Sequence, residues 1–196
     1  MKFTGERVVP DDMHEKATIY SEHLIRYAMA LRYCAEKDVL DIACGTGYGT
    51  HMLESVSDKI TGGDNDKETL EYARKNYGLD LKLIDLEIQP IAKVFKKKFE
   101  VIVSFETIEH LKDPQFFLRN VKGALAPKGL FLLSIPVSNR SEFHKHIYSY
   151  RKAIQTGNNL FKTLRIFIQT KEMIVPGRLI RGDFNKPGVY IIKVMK

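Results

Sequence analysis

The hydrophobic residues of this chain follow two alternating spacings over the first two thirds of its length. Short apolar runs bounded by glycine, aspartate or proline are typical of strands, and here they predict five. The predicted strands are residues 39–42, 59–63, 81–84, 101–104 and 130–135. Strands that alternate with helical segments over about 100 residues predict a parallel, doubly wound α/β sheet.

Apolar stripes and capping residues predict the helices between these strands. They are residues 21–35, a segment from the glycine-rich turn to about 56, one to about 76, and one to about 125. Asn65 or Asp66 is the expected N-cap of the third helix. Asp113 and Pro114 form an N-cap and first-turn pair for the fourth.

The pattern weakens after residue 138. It predicts a helix near 149–156, a strand near 163–169 and a last strand at 189–194, and it leaves the order of the loop 170–187 open. A turn at 127–129 precedes the fifth strand. These elements together predict a mostly parallel, seven-stranded sheet with an antiparallel C-terminal strand.

The length of 196 residues suits one domain with a sizeable core. We expect an N-terminal helical segment at 1–36, a binding core at 37–138, and the remaining strands at 139–196. No apolar run reaches the ~20 residues that span a bilayer, and the N-terminus has no apolar signal core, so we expect a cytoplasmic protein. Cys34 and Cys44 form neither a disulfide framework nor a metal-ligand spacing.

Positive charge is concentrated at the C-terminal end. Residues 139–196 contain 12 Lys and Arg against 3 Asp and Glu, whereas the whole chain has a net charge of +7. Such a segment can contact an anionic metabolite, a lipid headgroup or nucleic acid. Because the charges are scattered rather than clustered with aromatic residues, a solvated basic surface is the favoured interpretation.

Acidic residues and a glycine turn stand where the predicted strands end, which is where such sheets bind ligands. Gly45 and Gly47 fit a dinucleotide-binding turn, but Thr50 occupies the place of its third glycine. Asp41 at this turn would repel a pyrophosphate, and Asp64 and Asp85 end the next two strands. The pattern favours a ligand that has cationic groups and hydroxyls and no phosphate.

The same segments resemble the motifs of class I S-adenosylmethionine (SAM)-dependent methyltransferases, which have a Rossmann-like fold. VLDIACGTGYG resembles the first motif, GGDND the ribose motif and LKLIDLE the adenine motif, and residues 99–136 resemble the fourth and fifth motifs. The acid-His-Leu sequence after the fourth strand resembles the corresponding motif of ubiquinone-biosynthesis O-methyltransferases. FTGERVVP and FHKHIYSY are similar to methyltransferases associated with surface polysaccharides. The resemblance covers roughly residues 3–155, and Ala43 departs from it where the family commonly has glycine.

The resemblance and the chemistry of SAM together imply a cofactor site. Asp64 is placed to accept bonds from the ribose hydroxyls, Asp85 from the adenine amino group, and Asp41 helps to hold the loop and the ammonium group. Taken alone, Asp64 could be a helix cap and Asp85 a turn residue. The predicted cofactor-binding residues are Tyr20, Asp41, Ala43, Cys44, Gly45, Thr46, Gly47, Asp64, Asn65, Asp85, Leu86 and Phe105.

The N-terminal segment folds over the cofactor in resembling proteins. Tyr20 would then cover the methionine end of SAM, and Arg7 would contact its carboxylate. The alternative is that this segment is a helix packed on the edge of the sheet.

Three histidines follow the fourth and fifth strands. His110 could act as a general base that accepts a proton from the acceptor, or it could orient a loop. Glu109, His144 and His146 are expected in the acceptor pocket, with Glu109 in a structural role. The histidines could suggest a metal, but no carboxylate or cysteine spacing supports a defined site, so we predict none.

These inferences predict methyl transfer from SAM to a hydroxyl of a small molecule, such as a sugar, a glycolipid or a phenol, with S-adenosylhomocysteine as the other product. The basic C-terminal segment leaves an RNA or DNA methyltransferase as the alternative. Against it, no Asn/Asp-Pro-Pro-aromatic motif follows the fourth strand. A non-catalytic subunit with the same fold is the third hypothesis.

Overall fold

The computed structural model describes residues 10, 17–137, 143–149, 151–152, 155, 160–170, 173–176 and 188–196. Within these residues, eight strands form a single sheet. They are β1 (Asp38–Ile42), β2 (Lys59–Asp64), β3 (Leu81–Leu83), β4 (Phe99–Ser104), β5 (Leu125–Val137), β6 (Lys162–Thr170), β7 (Met173–Pro176) and β8 (Gly188–Met195). The helices are α1 (Ala17–Cys34), α2 (Tyr48–Glu54), α3 (Lys67–Tyr77), α4 (Ile91–Phe95), α5 (Pro114–Ala124) and a short 3-10 helix (Ile108–His110).

The strand order is β3-β2-β1-β4-β5-β8-β6-β7. Strands β1 to β5 pair in parallel, whereas β8 is antiparallel to β5 and β6, and β7 is antiparallel to β6. The order reverses at β1, which lies between β2 and β4, so a crevice forms at the carboxyl ends of these strands. The predicted α/β class and the antiparallel C-terminal strand are confirmed.

The sheet has one strand more than the seven predicted. The additional strand, β7, contains the strand-forming residues Ile174 and Val175, but it is only four residues long and ends in Pro176, so its sequence gives a weak signal. Apart from β5, which begins five residues before its predicted start, the other predicted strands lie within two residues of their observed bounds. Asp66 rather than Asn65 caps α3 through Thr69 N. Helix α4 was not predicted.

The predicted turn at 127–129 lies inside β5. Phe99 pairs with Leu125 and Val101 with Leu130, so β5 advances by five residues where β4 advances by two. Lys128 has φ +62°, a left-handed conformation that is typical of such a bulge. The prediction of a turn before the fifth strand is therefore wrong: these residues form a bulge within β5, because pairing with β4 begins at Leu125.

Apolar residues on both faces of the sheet bury it between helices. One face packs on α4 and α5 through Phe95, Phe117 and Val121, and the other packs on α1 and α2 through Tyr27, Ala30 and Leu53. This is the doubly wound arrangement, and it leaves the carboxyl ends of β1 to β4 open for a site.

The structure describes only part of two C-terminal segments for which the sequence makes predictions. Of the predicted helix at 149–156, Arg151, Lys152 and Gln155 are helical, Ser149 is not, and the remaining residues lie outside the described part. Within the loop 170–187, Met173–Pro176 forms β7. Among the described residues, no helix combines the length and apolarity needed to cross a bilayer.

Candidate functional site

A cavity of about 580 Å³ opens at the carboxyl ends of the parallel strands. This volume is within the usual range for small-molecule sites. One side, which we call the strand-end wall, consists of residues that follow β1, β2 and β3: Ala43, Cys44, Gly45, Thr46, Asp64, Asn65, Ile84, Asp85 and Leu86. The other side, the composite wall, gathers residues from distant segments: Ile19, Glu22, His23, Arg26, Glu106, Thr107, Glu109, His110, Leu111, His144, Lys145 and Val189.

The turn after β1 is built from left-handed backbone. Ala43, Gly45 and Gly47 have φ of +60°, +56° and +81°. A Cβ on Gly45 would meet nothing within 4 Å, so the glycine leaves bare backbone facing the cavity. A Cβ on Gly47 would lie 2.7 Å from the Cβ of Ala73, so Gly47 permits the close packing of α3 and does not line the cavity.

Asp64 joins this turn to the end of β2. Its Oδ2 accepts a hydrogen bond of 2.9 Å from Gly45 N, and its Oδ1 accepts one of 3.0 Å from Asp66 N. Asp64 lines the cavity and is half-buried. Since Asp66 performs the helix capping, the carboxylate of Asp64 remains directed at the turn and the cavity.

Asp85 is a turn residue that also lines the cavity. Its Oδ1 accepts from Glu87 N at 2.9 Å, which fixes the loop after β3, and the residue also lines the cavity. Ile84 and Leu86 flank it with apolar side chains. The carboxylate therefore lies next to an apolar surface of the kind that receives a planar ring.

Asp41 lies beneath the turn rather than at the cavity. It is fully buried, and it accepts hydrogen bonds from Thr50 Oγ1 at 2.7 Å and from Tyr27 Oη at 3.2 Å. Burial raises the pKa of Asp41 to about 7, although these two hydrogen bonds lower it and nearby Asp64 raises it further. Its place is that of a support for the loop, because protein atoms surround the carboxylate.

Tyr20 also lies outside the cavity lining. Its ring packs edge-on against Tyr48, with 5.3 Å between the ring centroids, which is the arrangement expected for a helix packed on the domain. Arg7 lies outside the described residues.

Helix α1 brings a buried cation to the cavity. Arg26 is 2% exposed, and its Nη1 donates to Gln169 Oε1 at 2.8 Å. Gln169 Nε2 in turn donates to the carbonyl of Glu22 at 2.8 Å. Within the described part of the chain, Arg26 Nε has no hydrogen-bond partner, although burial makes an unpaired donor costly.

His23 stands one helical turn before Arg26 and also lines the cavity. Its Nδ1 is 2.8 Å from Tyr48 Oη. Burial, and then the charge of Arg26, hold the pKa of His23 well below its usual value, so the ring is neutral near pH 7. Neither residue is among the predicted site residues, yet polar side chains on the apolar stripe of a helix are a recognisable signal.

The predicted acceptor-side residues meet at the 3-10 helix. His110 Nδ1 is 3.1 Å from the carbonyl oxygen of Phe143, and its Nε2 is 3.6 Å from Oε1 of the fully buried Glu109. The ring of His144 packs edge-on against that of His110 at 5.0 Å. Glu109, His110 and His144 all line the cavity.

His146 belongs to the same segment but not to the cavity lining. Its backbone N–H donates to the carbonyl of Glu109 at 3.1 Å, as that of Lys145 does at 2.9 Å. Its Nε2 is buried and has no hydrogen-bond partner among the described residues. His146 therefore anchors the segment through its backbone.

The side chains of Glu109, His110 and His144 form a cluster of potential metal ligands. One ligand atom from each lies within 4.8 Å of the others. The sequence argument against a metal, that no carboxylate accompanies the histidines at a useful spacing, does not hold in the folded chain, because the segment after β5 returns to Glu109.

Comparison with known proteins identifies related chains. A family profile described as "Methyltransferase domain" matches residues 35–173. A probable SAM-dependent methyltransferase of Mycolicibacterium smegmatis is 33% identical over 144 residues, which cover 73% of this chain and 54% of that protein. A ubiquinone biosynthesis O-methyltransferase of Actinobacillus pleuropneumoniae is 31% identical over 105 residues, 50% of this chain and 45% of the relative.

The matched residues thus span about half the length of these curated relatives. Among solved structures, the N-methyltransferase NodS of Bradyrhizobium japonicum in complex with S-adenosylhomocysteine has a TM-score of 0.69. The match covers 94% of this chain and 90% of that one at 15% identity, so it shows a shared fold.

Proposed function

Because the chain belongs to the methyltransferase domain family of SAM-dependent enzymes, we propose that it binds SAM and transfers the methyl group to a hydroxyl of a small-molecule acceptor. One observation carries the proposal. The carboxylates of Asp64 and Asp85 lie on the same cavity wall as Gly45, where a side chain would otherwise fill the space. This combination suits a ligand with hydroxyl and amino donors and no phosphate.

The strand-end wall has the donor set that the nucleoside part of SAM requires. Each oxygen of Asp64 already accepts one backbone N–H, and each retains a lone pair for a ribose hydroxyl. Asp85, flanked by Ile84 and Leu86, can accept from the adenine amino group while the apolar side chains contact the ring. Gly45 allows close approach to the backbone.

Arg26 extends the fit to the amino-acid part of SAM. Arg26 is a buried guanidinium of a cavity-lining residue, and its Nε has no partner among the described residues. It is suited to a carboxylate, since a charge-assisted bond satisfies both groups. Arg26 thereby takes the role that the sequence suggested for Arg7. When bound, SAM supplies a methyl group already activated on its sulfonium, so the protein mainly aligns the reactants and excludes water.

His110 is the proposed proton acceptor for the acceptor hydroxyl. With its Nδ1–H donated to the carbonyl of Phe143, the neutral imidazole has Nε2, 3.6 Å from Glu109 Oε1, as its proton-accepting atom, and the residue lines the cavity. A neutral hydroxyl is a weak nucleophile until its proton is removed, and a positioned base assists this step. Sugars, glycolipids and phenols are the proposed acceptor classes.

Calorimetric titration with S-adenosylhomocysteine, with NADH as the control, tests the cofactor half of the proposal. Binding of S-adenosylhomocysteine alone supports it, whereas binding of NADH alone, or of neither ligand, contradicts it. Transfer of radiolabelled methyl from SAM to a panel of sugars, glycolipids and phenols tests the reaction. Binding without transfer to any hydroxyl compound would favour a non-catalytic subunit.

His110→Ala tests the proposed proton acceptor. We expect turnover to fall by about 100-fold, the usual contribution of general-base catalysis, with little change in affinity for S-adenosylhomocysteine. His51→Ala is a matched control, because His51 is an exposed histidine that also lies beside a glutamate. Unchanged turnover in the His110 variant would assign the residue a structural role.

A further inference from the structure

We propose that Glu109, His110 and His144 bind a divalent transition-metal cation at the cavity wall. Two imidazoles and one carboxylate are a ligand set that suits Zn²⁺, Fe²⁺, Co²⁺ or Mn²⁺ better than Mg²⁺ or Ca²⁺, which prefer oxygen ligands. Binding of the cation is independent of SAM and of the acceptor. The role that we give the cation toward the acceptor rests on the proposed methyl transfer.

The distances support a shared ion. Glu109 Oε1 and His110 Nε2 are 3.6 Å apart, and the third ligand atom, from His144, lies within 4.8 Å of the others. Ligand atoms at about 2 Å from a common ion are themselves roughly 3 to 4 Å apart. The two atoms from the 3-10 helix already satisfy this spacing, and the half-buried ring of His144 places a ligand atom within 4.8 Å of both.

Hydrogen bonds outside the cluster orient the ligands. His110 Nδ1 is at 3.1 Å from the carbonyl of Phe143, which directs Nε2 toward Glu109. Metal-binding histidines typically donate their second ring nitrogen in this way, and the bond fixes both tautomer and ring orientation.

His144 is held between two anchored neighbours. Phe143 supplies the carbonyl that His110 contacts, and Lys145 N donates to the carbonyl of Glu109 at 2.9 Å. Lys145 Nζ also forms a salt bridge of 3.0 Å with Glu87. The segment that carries the third ligand is therefore fixed to the element that carries the other two.

The electrostatics of the cluster favour a cation. Glu109 is 0% exposed, and a buried carboxylate is stabilised by positive charge in its immediate surroundings. A dication held by Glu109 and two neutral imidazoles supplies that charge without requiring either ring to be protonated.

An ion at this place changes the role of His110. Its Nε2 becomes a ligand rather than the proton acceptor, and the acceptor hydroxyl occupies a remaining coordination position on the cavity side. Coordination lowers the pKa of the hydroxyl. The oxygen then bonds to the methyl carbon while the sulfonium–methyl bond breaks, and the hydroxyl proton leaves to water. Acceptors with two neighbouring oxygens, such as vicinal diols, suit two open positions.

Calorimetric titration of untagged, chelator-treated protein with ZnCl₂ tests the site, and the absorption spectrum with Co²⁺ reports its ligand geometry. We expect one strong site per chain and a loss of affinity of about 100-fold in His144→Ala. His51→Ala removes an exposed histidine 3.3 Å from Glu54 and should leave the affinity unchanged. Equal affinity in wild type and His144→Ala, or no strong site, overturns the proposal.

Two further measurements keep the outcome clear. Glu109→Gln alters a buried residue and can unfold the protein, so thermal unfolding is recorded for each variant, and His110→Ala provides a second ligand deletion. S-adenosylhomocysteine titration of metal-free protein is expected to succeed, because the strand-end wall contains none of the three ligands. Failure of that titration contradicts the proposed function and leaves cation binding intact. Normal methyl transfer in the presence of chelator contradicts the role of the cation and returns His110 to that of a base.

Discussion

The two walls of the cavity are built in different ways. The strand-end wall follows β1, β2 and β3 directly, and its key bonds join a carboxylate to backbone N–H groups within 19 residues, as between Gly45 and Asp64. The composite wall depends on side chains that meet across long stretches of chain, as Arg26 and Gln169 do across 143 residues. One wall is an outcome of sheet topology, and the other requires the docking of α1, β6 and the segment after β5.

The two walls should therefore respond differently to side-chain substitutions. Backbone groups and strand ends give the strand-end wall a shape that side-chain substitutions alter little. The composite wall can be changed one residue at a time, because each side chain comes from its own element. We therefore expect the strand-end wall to bind the nucleoside part of SAM and the composite wall, apart from Arg26, to determine the acceptor.

The largest expected effect concerns the support beneath the strand-end wall. The pKa of Asp41 is about 7 in the fold and about 4 in an unfolded chain, so the folded state binds the additional proton between these values. The contribution of Asp41 to stability is therefore fully present below pH 4 and is lost as pH rises through 7, by about 3 kcal/mol between pH 5 and 8.

Denaturant unfolding of wild type and Asp41→Asn across this pH range measures the effect. The free energy of unfolding of wild type should fall with pH relative to the variant, whereas the exposed Asp58→Asn should parallel wild type. Tyr27, Thr50 and Asp64 face the same carboxyl and remain in all three proteins. Parallel curves for wild type and Asp41→Asn would show that Asp41 titrates normally.

The next largest effect is expected when the central carboxylate of the strand-end wall is removed. Asp64→Ala should weaken binding of S-adenosylhomocysteine by about 100-fold, which corresponds to the loss of charge-assisted bonds to the ribose hydroxyls. Calorimetry measures the change, and Asp58→Ala is the control. If affinity is unaltered, Asp64 only organises the turn.

A smaller effect distinguishes the composite wall. Arg26→Met should reduce affinity for S-adenosylhomocysteine by about tenfold, because one charge-assisted bond to the carboxylate is lost. Affinity for 5′-methylthioadenosine, which lacks the amino-acid part, should not change. Arg32→Met, on the exposed side of the same helix, controls for the loss of a charge. Equal losses for both ligands would place the effect of Arg26 in the fold.

The smallest effect refines the turn itself. Ala43 has φ +60°, a conformation that costs a residue with a Cβ about 1 kcal/mol, so Ala43→Gly should raise the free energy of unfolding by about that amount. Ala73→Gly, inside α3, should lower it by a similar amount. Thermal unfolding measures both, and a destabilised Ala43→Gly would indicate that contacts of the methyl group outweigh the backbone strain.

Local pattern predicted the strand-end wall well, since Asp64 and Asp85 follow strands whose parallel order places their ends together. It could not give the direction of a side chain, which is why Asp41 was expected at the ligand but lies beneath the loop. It missed Arg26, because the partner that orients this side chain is on β6, and only the folded sheet brings them into contact. The same reason hid the approach of His144 to Glu109.

The two outermost strands of the sheet affect the tendency of the protein to aggregate. An unpaired strand edge is a template for addition of a strand from another chain, and this hazard grows with the length of the edge. Among the described residues, one edge is β3, three residues long with Lys82 at its centre, and the other is β7, four residues long and ended by Pro176. Short, charged or proline-terminated edges offer few consecutive pairing sites, so this wide sheet resists edge-to-edge aggregation.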